Sequence, residues 1–276
     1  MSNKKRVGYL SIFFMLGIMV FICFGCNKPM TTESKKTRMK ELLRDKFGEE
    51  FEVRELYDTG AIEAWCYPQN DPTMIFKVET MLEMKEIAED DYLQSLVGRQ
   101  LSKEYQLLAE NAFGECFVYS KLLLASTPNY PSPNSKTITL EELLDYIHSN
   151  NFGDSVHLYV FVNKNKNNNV IMDELEFVRK IGNKIAEGEL PTSTKVFIMF
   201  GDEYFLLNVE KSLNEFGWHT FGGKSRTDIM DVIGDKDEIR IYYDSNGNPL
   251  CEKGNTDEVT IMDKEEYESL RMEVIE

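Results

Sequence analysis

Histidine is scarce in this chain, with three residues in 276, and cysteine and tryptophan are few, at five and two. His148, His157 and His219 do not stand at the helical spacing of a zinc-protease site, and no cysteine cluster flanks them, so the common zinc chemistries lack a ligand set. Five cysteines are too few for a disulfide framework. Cys23 and Cys26 fall near the start, which leaves Cys66, Cys116 and Cys251. Positive charge is also short: 31 Lys and Arg against 47 Asp and Glu give a net charge of -16. A surface that acidic repels nucleic acid and anionic headgroups, which sets aside DNA, RNA and peripheral membrane binding. The hydrolase signatures are missing too: beyond residue 26 there is no Gly-x-Ser-x-Gly elbow and no Ser-x-x-Lys pair. No cofactor motif stands out, and no catalytic residue can be named.

Long apolar runs are absent but for one. Lys4, Lys5 and Arg6 precede an uninterrupted apolar stretch from Val7 to Phe24, followed by Gly25 and Cys26. A basic start, an apolar segment and a small residue before a cysteine resemble the lipobox signal of bacterial lipoproteins. That resemblance implies cleavage after residue 25 and a diacylglycerol thioether on Cys26, its acyl chains palmitate-like. At ~0.8 kcal/mol per buried methylene, two such chains make a stable membrane anchor. The alternative is an uncleaved signal anchor, because Val7 to Gly25 is close to the roughly 20 residues that span a bilayer. Positive charge at its start keeps that end in the cytoplasm, so both readings place residues 27 onward outside, held at the cell membrane.

The remainder has an ordinary globular composition, 42% hydrophobic and 12% aromatic over the whole chain. Apolar residues at helical spacing predict a helix over about 33–47, with Met39, Leu42, Leu43 and Phe47 on one side and Gly48 as its stop. Strand-like runs follow at 51–56, 61–67 and 74–79. A long helix capped by Asp90 or Asp91 comes next, then a strand over 116–124. Pro128, Pro131 and Pro133 mark a linker, 127–136, between an α-β-β-β-α-β domain (27–126) and a second domain (137–276). There Thr139 with Glu142 suggests a capped helix ending near His148. The nearly continuous apolar runs 156–162 and 196–200, with a helix at about 173–187 between them, read as a parallel crossover. A helix near 204–216, a strand at 238–243, a hairpin at Asn246-Gly247 and a last helix from Lys264 complete it. The fold class expected is α+β, with an antiparallel meander first and a mixed α/β-like sheet second.

Several motifs invite chemistry. Asn163 to Glu174 has the spacing of a calcium loop, with Asn163, Asn165, Asn167, Val170 and Glu174 in the ligand pattern, but Asn replaces Asp and Lys164 and Lys166 sit beside it. A polar loop between strand and helix is the favoured reading. Gly222-Gly223-Lys224-Ser225 ends like a phosphate loop, yet Trp218 stands where its first glycine belongs, so a turn is favoured. His157 is expected as a packed or surface imidazole, and Trp218 and His219 are the only candidates for ligand contact. Cys66 and Cys116 could pair; buried free thiols are favoured.

Leu42–Val53 (LLRDKFGEEFEV), Ala61–Val78 (AIEAWCYPQNDPTMIFKV) and Asp91-Tyr92-Leu93 together resemble the opening of uncharacterised small exported proteins and lipoproteins of Gram-positive bacteria. The resemblance implies location and fold pattern and carries over no catalytic residue. The function expected is a lipid-anchored, extracytoplasmic, non-catalytic binding or protein-interaction module with an envelope protein as partner. The alternatives are a cell-envelope hydrolase whose site is assembled only in the fold, and a solute-binding component.

Overall fold

The computed structural model describes residues 30–58, 60–124, 141, 142, 145, 149, 154–167, 170–216, 238–252 and 259–275. Cys26 and the signal segment, the proline stretch, His148, Trp218, His219 and the Gly222–Ser225 turn lie outside the described residues. Contacts divide the chain into Met1–Thr37 and Arg38–Glu276. In the first unit, Thr31 caps the start of helix α1 (Thr32–Phe47) by accepting the Ser34 N–H on its hydroxyl at 3.2 Å.

The second unit begins with the apolar side of α1. Met39, Leu42, Leu43 and Phe47 are all buried, and Gly48, at φ +73, closes the helix by donating its N–H to the Arg44 carbonyl. Strands β1 (Phe51–Asp58), β2 (Ile62–Pro68), β3 (Phe76–Thr80) and β4 (Ile87–Asp90) form an antiparallel sheet in chain order. Helix α2 (Tyr92–Phe113) starts against it. The Tyr92 ring is surrounded by Phe47, Phe51 and Phe76, with ring centroids 4.3, 5.5 and 5.1 Å away, and its hydroxyl donates to the buried Glu49 carboxylate. Asp90 rather than Asp91 serves the helix start: its carboxylate accepts the Tyr92 N–H at 3.1 Å and pairs with Lys46 at 2.6 Å.

A six-stranded mixed sheet follows in the order β10-β9-β8-β7-β6-β5, from β5 (Cys116–Leu124), β6 (Asp154–Asn163), β7 (Lys195–Gly201), β8 (Glu238–Tyr243), β9 (Pro249–Glu252) and β10 (Val259–Ile261). Among the described strands only β6 and β7 run parallel, joined across helix α3 (Ile171–Ala186) as the two apolar runs predict. Helices α4 (Glu203–Phe216) and α5 (Lys264–Ile275) complete the described elements. The fold is therefore α+β. Among the described residues no helix is long and apolar enough to cross a membrane.

One element lies elsewhere than expected. The strand β5, read from the sequence as part of the first small sheet, instead pairs antiparallel with β6 along its whole length, from Cys116↔Val162 to Leu124↔Asp154. Alternation along a strand says that one face is buried; it does not say which neighbour completes the ladder. The hydrophobic core is accordingly continuous, running from Met39 and Phe76 through Leu101 and Phe113 to Val160, Ile198 and Tyr267. The hairpin also differs. Between β8 and β9 the loop runs from Asp244 to Asn248, with the Asp244 carboxylate accepting the N–H groups of Asn246 and Asn248 and Gly247 at φ +75.

Close approach fixes how α2 lies on β5. A Cβ on Gly98 would collide with the Ser120 carbonyl oxygen, so the helix backbone comes as near to the strand as glycine allows. Replacing Gly98 with alanine should destabilise the protein by ~1–3 kcal/mol, the usual cost of overpacking a fixed contact. Urea denaturation measures this, and an unchanged or raised midpoint would contradict the packing described.

Candidate functional site

Strand β5 is the edge of the six-stranded sheet, and an edge presents a row of outward backbone groups that a soluble protein has to cover. In an antiparallel strand these groups belong to every second residue. Here they belong to Cys116, Val118, Ser120, Leu122 and Leu124. Side chains of α2 cover the first three. The Gln106 amide donates through Nε2 to the Cys116 carbonyl at 2.9 Å and accepts the Val118 N–H on Oε1 at 2.8 Å. One glutamine thus does what a peptide group of a neighbouring strand would do. Ser102 continues the row: its hydroxyl accepts the Ser120 N–H at 2.7 Å and donates to the Gly98 carbonyl at 2.8 Å.

Past Ser120 no such α2 contact is seen among the described residues, and a groove of about 230 Å³ opens. Its walls are Asp91, Gln94 and Ser95 at the start of α2 and the run Tyr119 to Leu124 of β5. A smaller recess of about 30 Å³, reaching Thr73, Arg99 and Leu213, adjoins it through Ser95, Tyr119 and Ser120. Two buried polar atoms at the groove, Gln94 Oε1 and Ser120 Oγ, have no hydrogen-bond partner among the described residues. Ser120 itself is 3% exposed. Buried polar atoms without partners are uncommon, and two at one groove set it apart from the packed core.

The charges around the groove are of both signs. Burial, reinforced by neighbouring Asp90, raises the Asp91 carboxyl above the usual range, while burial lowers the Lys121 ammonium and Asp91 opposes that shift. Lys121 stands across from His157, and His157 across from Lys195, so a row of nitrogen groups crosses β5, β6 and β7. Alongside it run the aromatic rings: Tyr159 stacks on Phe197 at 4.7 Å, His157 lies 5.2 Å from Phe197, and Lys195 sits 5.0 Å over the Tyr242 ring. The other end of this face is closed by Phe205, Leu206, Val209 and Leu213 of α4. A sheet face with two lysines, an imidazole and a run of aromatic rings is thus set in a chain of net charge -16.

The residues that attracted attention in the sequence have other employment. Glu174, last in the calcium-like spacing, is fully buried and occupied by protein partners: Arg271 Nε lies 2.9 Å from Oε2, the Tyr267 hydroxyl donates to Oε2 at 2.8 Å, and Asn167 donates to Oε1 at 3.2 Å. Asn163, equally buried, donates to Glu115 and accepts the Asn165 N–H. The loop ties β6, α3 and α5 together, with the guanidinium as its cation. Among the described residues no three His, Cys, Asp or Glu side chains gather as a metal site. Cys66 and Cys116 are free and buried, and Cys251 is buried; Cys66 lies in the first sheet and Cys116 in the second, and burial pushes the Cys116 thiol up to about 12. These thiols are packing groups.

Gln94, Ser120 and Lys121 were not picked out in the sequence. One signal was visible: Ser120 occupies an inward place in the alternation Cys116, Val118, Ser120, Leu122, where a polar residue needs a reason.

His157 gives a direct check on the sheet face that carries Lys121 and Lys195. Burial first, then Lys195 and Lys121, lowers it from an ordinary 6.5 to about 4. The unfolded chain therefore takes up this proton first on acidification. The associated stability is complete above about pH 6.5 and is lost as pH falls towards 4. A ring titration followed by NMR should show a His157 midpoint near 4, rising in Lys195→Gln. A midpoint near 6.5 would contradict the described surroundings.

No protein-family model matches the chain, and no curated protein matches it. Among solved structures it is similar to a DUF5037 family protein from Ruminococcus gnavus, with a TM-score of 0.55 and 17% identity, covering 86% of this chain and 99% of that one. A DUF1672 family protein from Staphylococcus aureus matches at a TM-score of 0.27 and 14% identity, over 61% of this chain and 79% of the other. Both neighbours belong to bacterial families of unknown function. The likeness to the first is a likeness of fold.

Proposed function

We propose that this chain is a non-catalytic binding module, anchored by lipid on Cys26 to the outer side of the cell membrane, that holds an envelope protein in the groove between α2 and β5. The observation that carries the binding part is the interrupted cover of the β5 edge: helix side chains satisfy it up to Ser120 and then give way to a groove with two buried polar atoms lacking partners. The anchor rests on the sequence, on the basic start, the apolar run and Gly25-Cys26. The two parts fit one another. A short tether after Cys26 would keep the module at the membrane surface, where an envelope partner is close and its effective concentration is high.

The test is made in intact cells producing the full chain with a photo-crosslinking residue in place of Lys121, fed an alkyne fatty acid. The reading predicts fatty-acid label that Cys26→Ser removes, together with one dominant crosslinked protein that is not captured when the crosslinker replaces Tyr204, an exposed residue on α4. Label that survives Cys26→Ser would refute the anchor. A crosslinking pattern identical from both positions would refute the groove as the binding surface.

A further inference from the structure

Edge strands are normally covered along their whole length or blunted by charge, proline or a bulge. Among the described residues, the edge of β5 is covered by a mimic of a neighbouring strand for half its length. Gln106 and Ser102 reach it where α2 lies close, and the Gly98 contact holds the helix there. From the Ser120 carbonyl to Leu124 the alternation still directs the groups of Leu122 and Leu124 outward, into a groove whose strand side is made of six consecutive residues. One wall of the groove is thus an unbroken run of strand residues, which suits an extended chain laid alongside it.

We infer that this open stretch takes an extended polypeptide segment of the partner protein as a seventh strand, with an acidic side chain of the segment beside Lys121. The inference rests on the binding function proposed above and specifies its chemistry. Main-chain pairing supplies affinity in such strand addition, and alternate side chains supply selectivity. On the α2 side the incoming residues meet Gln94 Oε1 and Ser120 Oγ, both buried and without partners, which suits small polar residues that bring a donor. On the other side they meet Tyr119 and Lys121, beyond which lie His157, Lys195 and the rings of Tyr159 and Phe197. A carboxylate there pairs with the Lys121 ammonium, and apolar side chains extend the aromatic row. Asp91, on the helix side of the groove, directs the carboxylate to the other face of the added strand.

The probe is an acetylated and amidated octapeptide, Thr-Val-Thr-Glu-Thr-Val-Thr-Val, added to the full chain in detergent and followed by amide hydrogen exchange. In the free chain the Leu122 and Leu124 amides should exchange fast, whereas Lys121 and Leu123, bonded to β6, should be slow. At saturation the Leu122 and Leu124 amides should slow by about tenfold or more while their neighbours stay unchanged. Lys121→Glu should weaken binding about fivefold, the factor an opposite-charge cross-strand pair carries. Leu124→Pro, which deletes an outward donor without touching the ladder to β6, should abolish it. Each variant is checked for native circular dichroism, so that Lys121→Glu stands if the proline variant does not fold.

Absence of binding, or binding without alternate-residue protection, would overturn the inference. So would Leu122 and Leu124 amides already protected in the free chain: protection that fades on dilution would assign the edge to a second copy, and protection that persists would assign it to residues 125–153 of the same chain. Failure here with a Lys121-specific crosslink in cells would leave the binding function standing on another mode of contact. Failure of the crosslink removes both.

Discussion

The contact between α2 and β5 is the constraint on which the rest of the structure depends. At one end of α2, Tyr92 is locked into the rings of Phe47, Phe51 and Phe76 of the first sheet region. Along its length the same helix lies on the edge of the second sheet, with Gly98 against the Ser120 carbonyl and with Ser102 and Gln106 bonded to the strand backbone. A single helix therefore buries apolar surface against both sheets and removes most of the polar cost of ending the larger sheet at β5. Uncovered backbone groups in a buried setting each cost about as much as a lost hydrogen bond, so the Gln106 and Ser102 contacts are a condition of placing a strand edge beneath a helix.

The two faces of the six-stranded sheet have different duties. The face carrying Val118, Leu122, Val156, Leu158, Val160, Val196 and Ile239 belongs to the continuous core. The other face is aromatic and, among the described residues, is roofed by α4 at one end. On that face Lys121 and Lys195 flank His157, whose ring is kept uncharged down to about pH 4 by burial and the two lysines. The two ammonium groups favour approach of an acidic group at that place while the net charge of the chain repels it. The buried Glu174, Arg271, Tyr267 and Asn167 cluster works at the far side of α3, where it holds α5 and the loop after β6 in place. Removing one partner of such a buried pair leaves an uncompensated charge, which is why its four members behave as one unit.

Much of the fold was legible from periodicity. Met39, Leu42, Leu43 and Phe47 at helical spacing, the glycine stops at Gly48 and Gly114, and the crossover from β6 through α3 to β7 all express local rules that the core then confirms. Two things were not legible, for different reasons. Strand β4 is short and carries Glu89 and Asp90 on its sequence Ile-Ala-Glu-Asp, so it has no alternation to read. The place of β5 depends on pairing with β6 across an intervening segment, and no local signal encodes which ladder a strand joins. The groove is hidden for the same reason: Gln94 and Ser120 meet only because Gly98 brings the helix down onto the strand. The sequence drew attention instead to Asn163–Glu174, where Glu174 pairs with the Arg271 guanidinium and Asn163 donates to Glu115.

Side chains of α2 substitute for a missing strand along the first half of β5. Amide exchange at Val118 and Ser120 in wild type and Gln106→Ala tests it most directly. Both amides should exchange slowly in wild type and, in the variant, Val118 should exchange about tenfold faster while Ser120, held by Ser102, stays unchanged. Exchange at Val118 that is already fast in wild type, or that does not respond to loss of the glutamine, would contradict it.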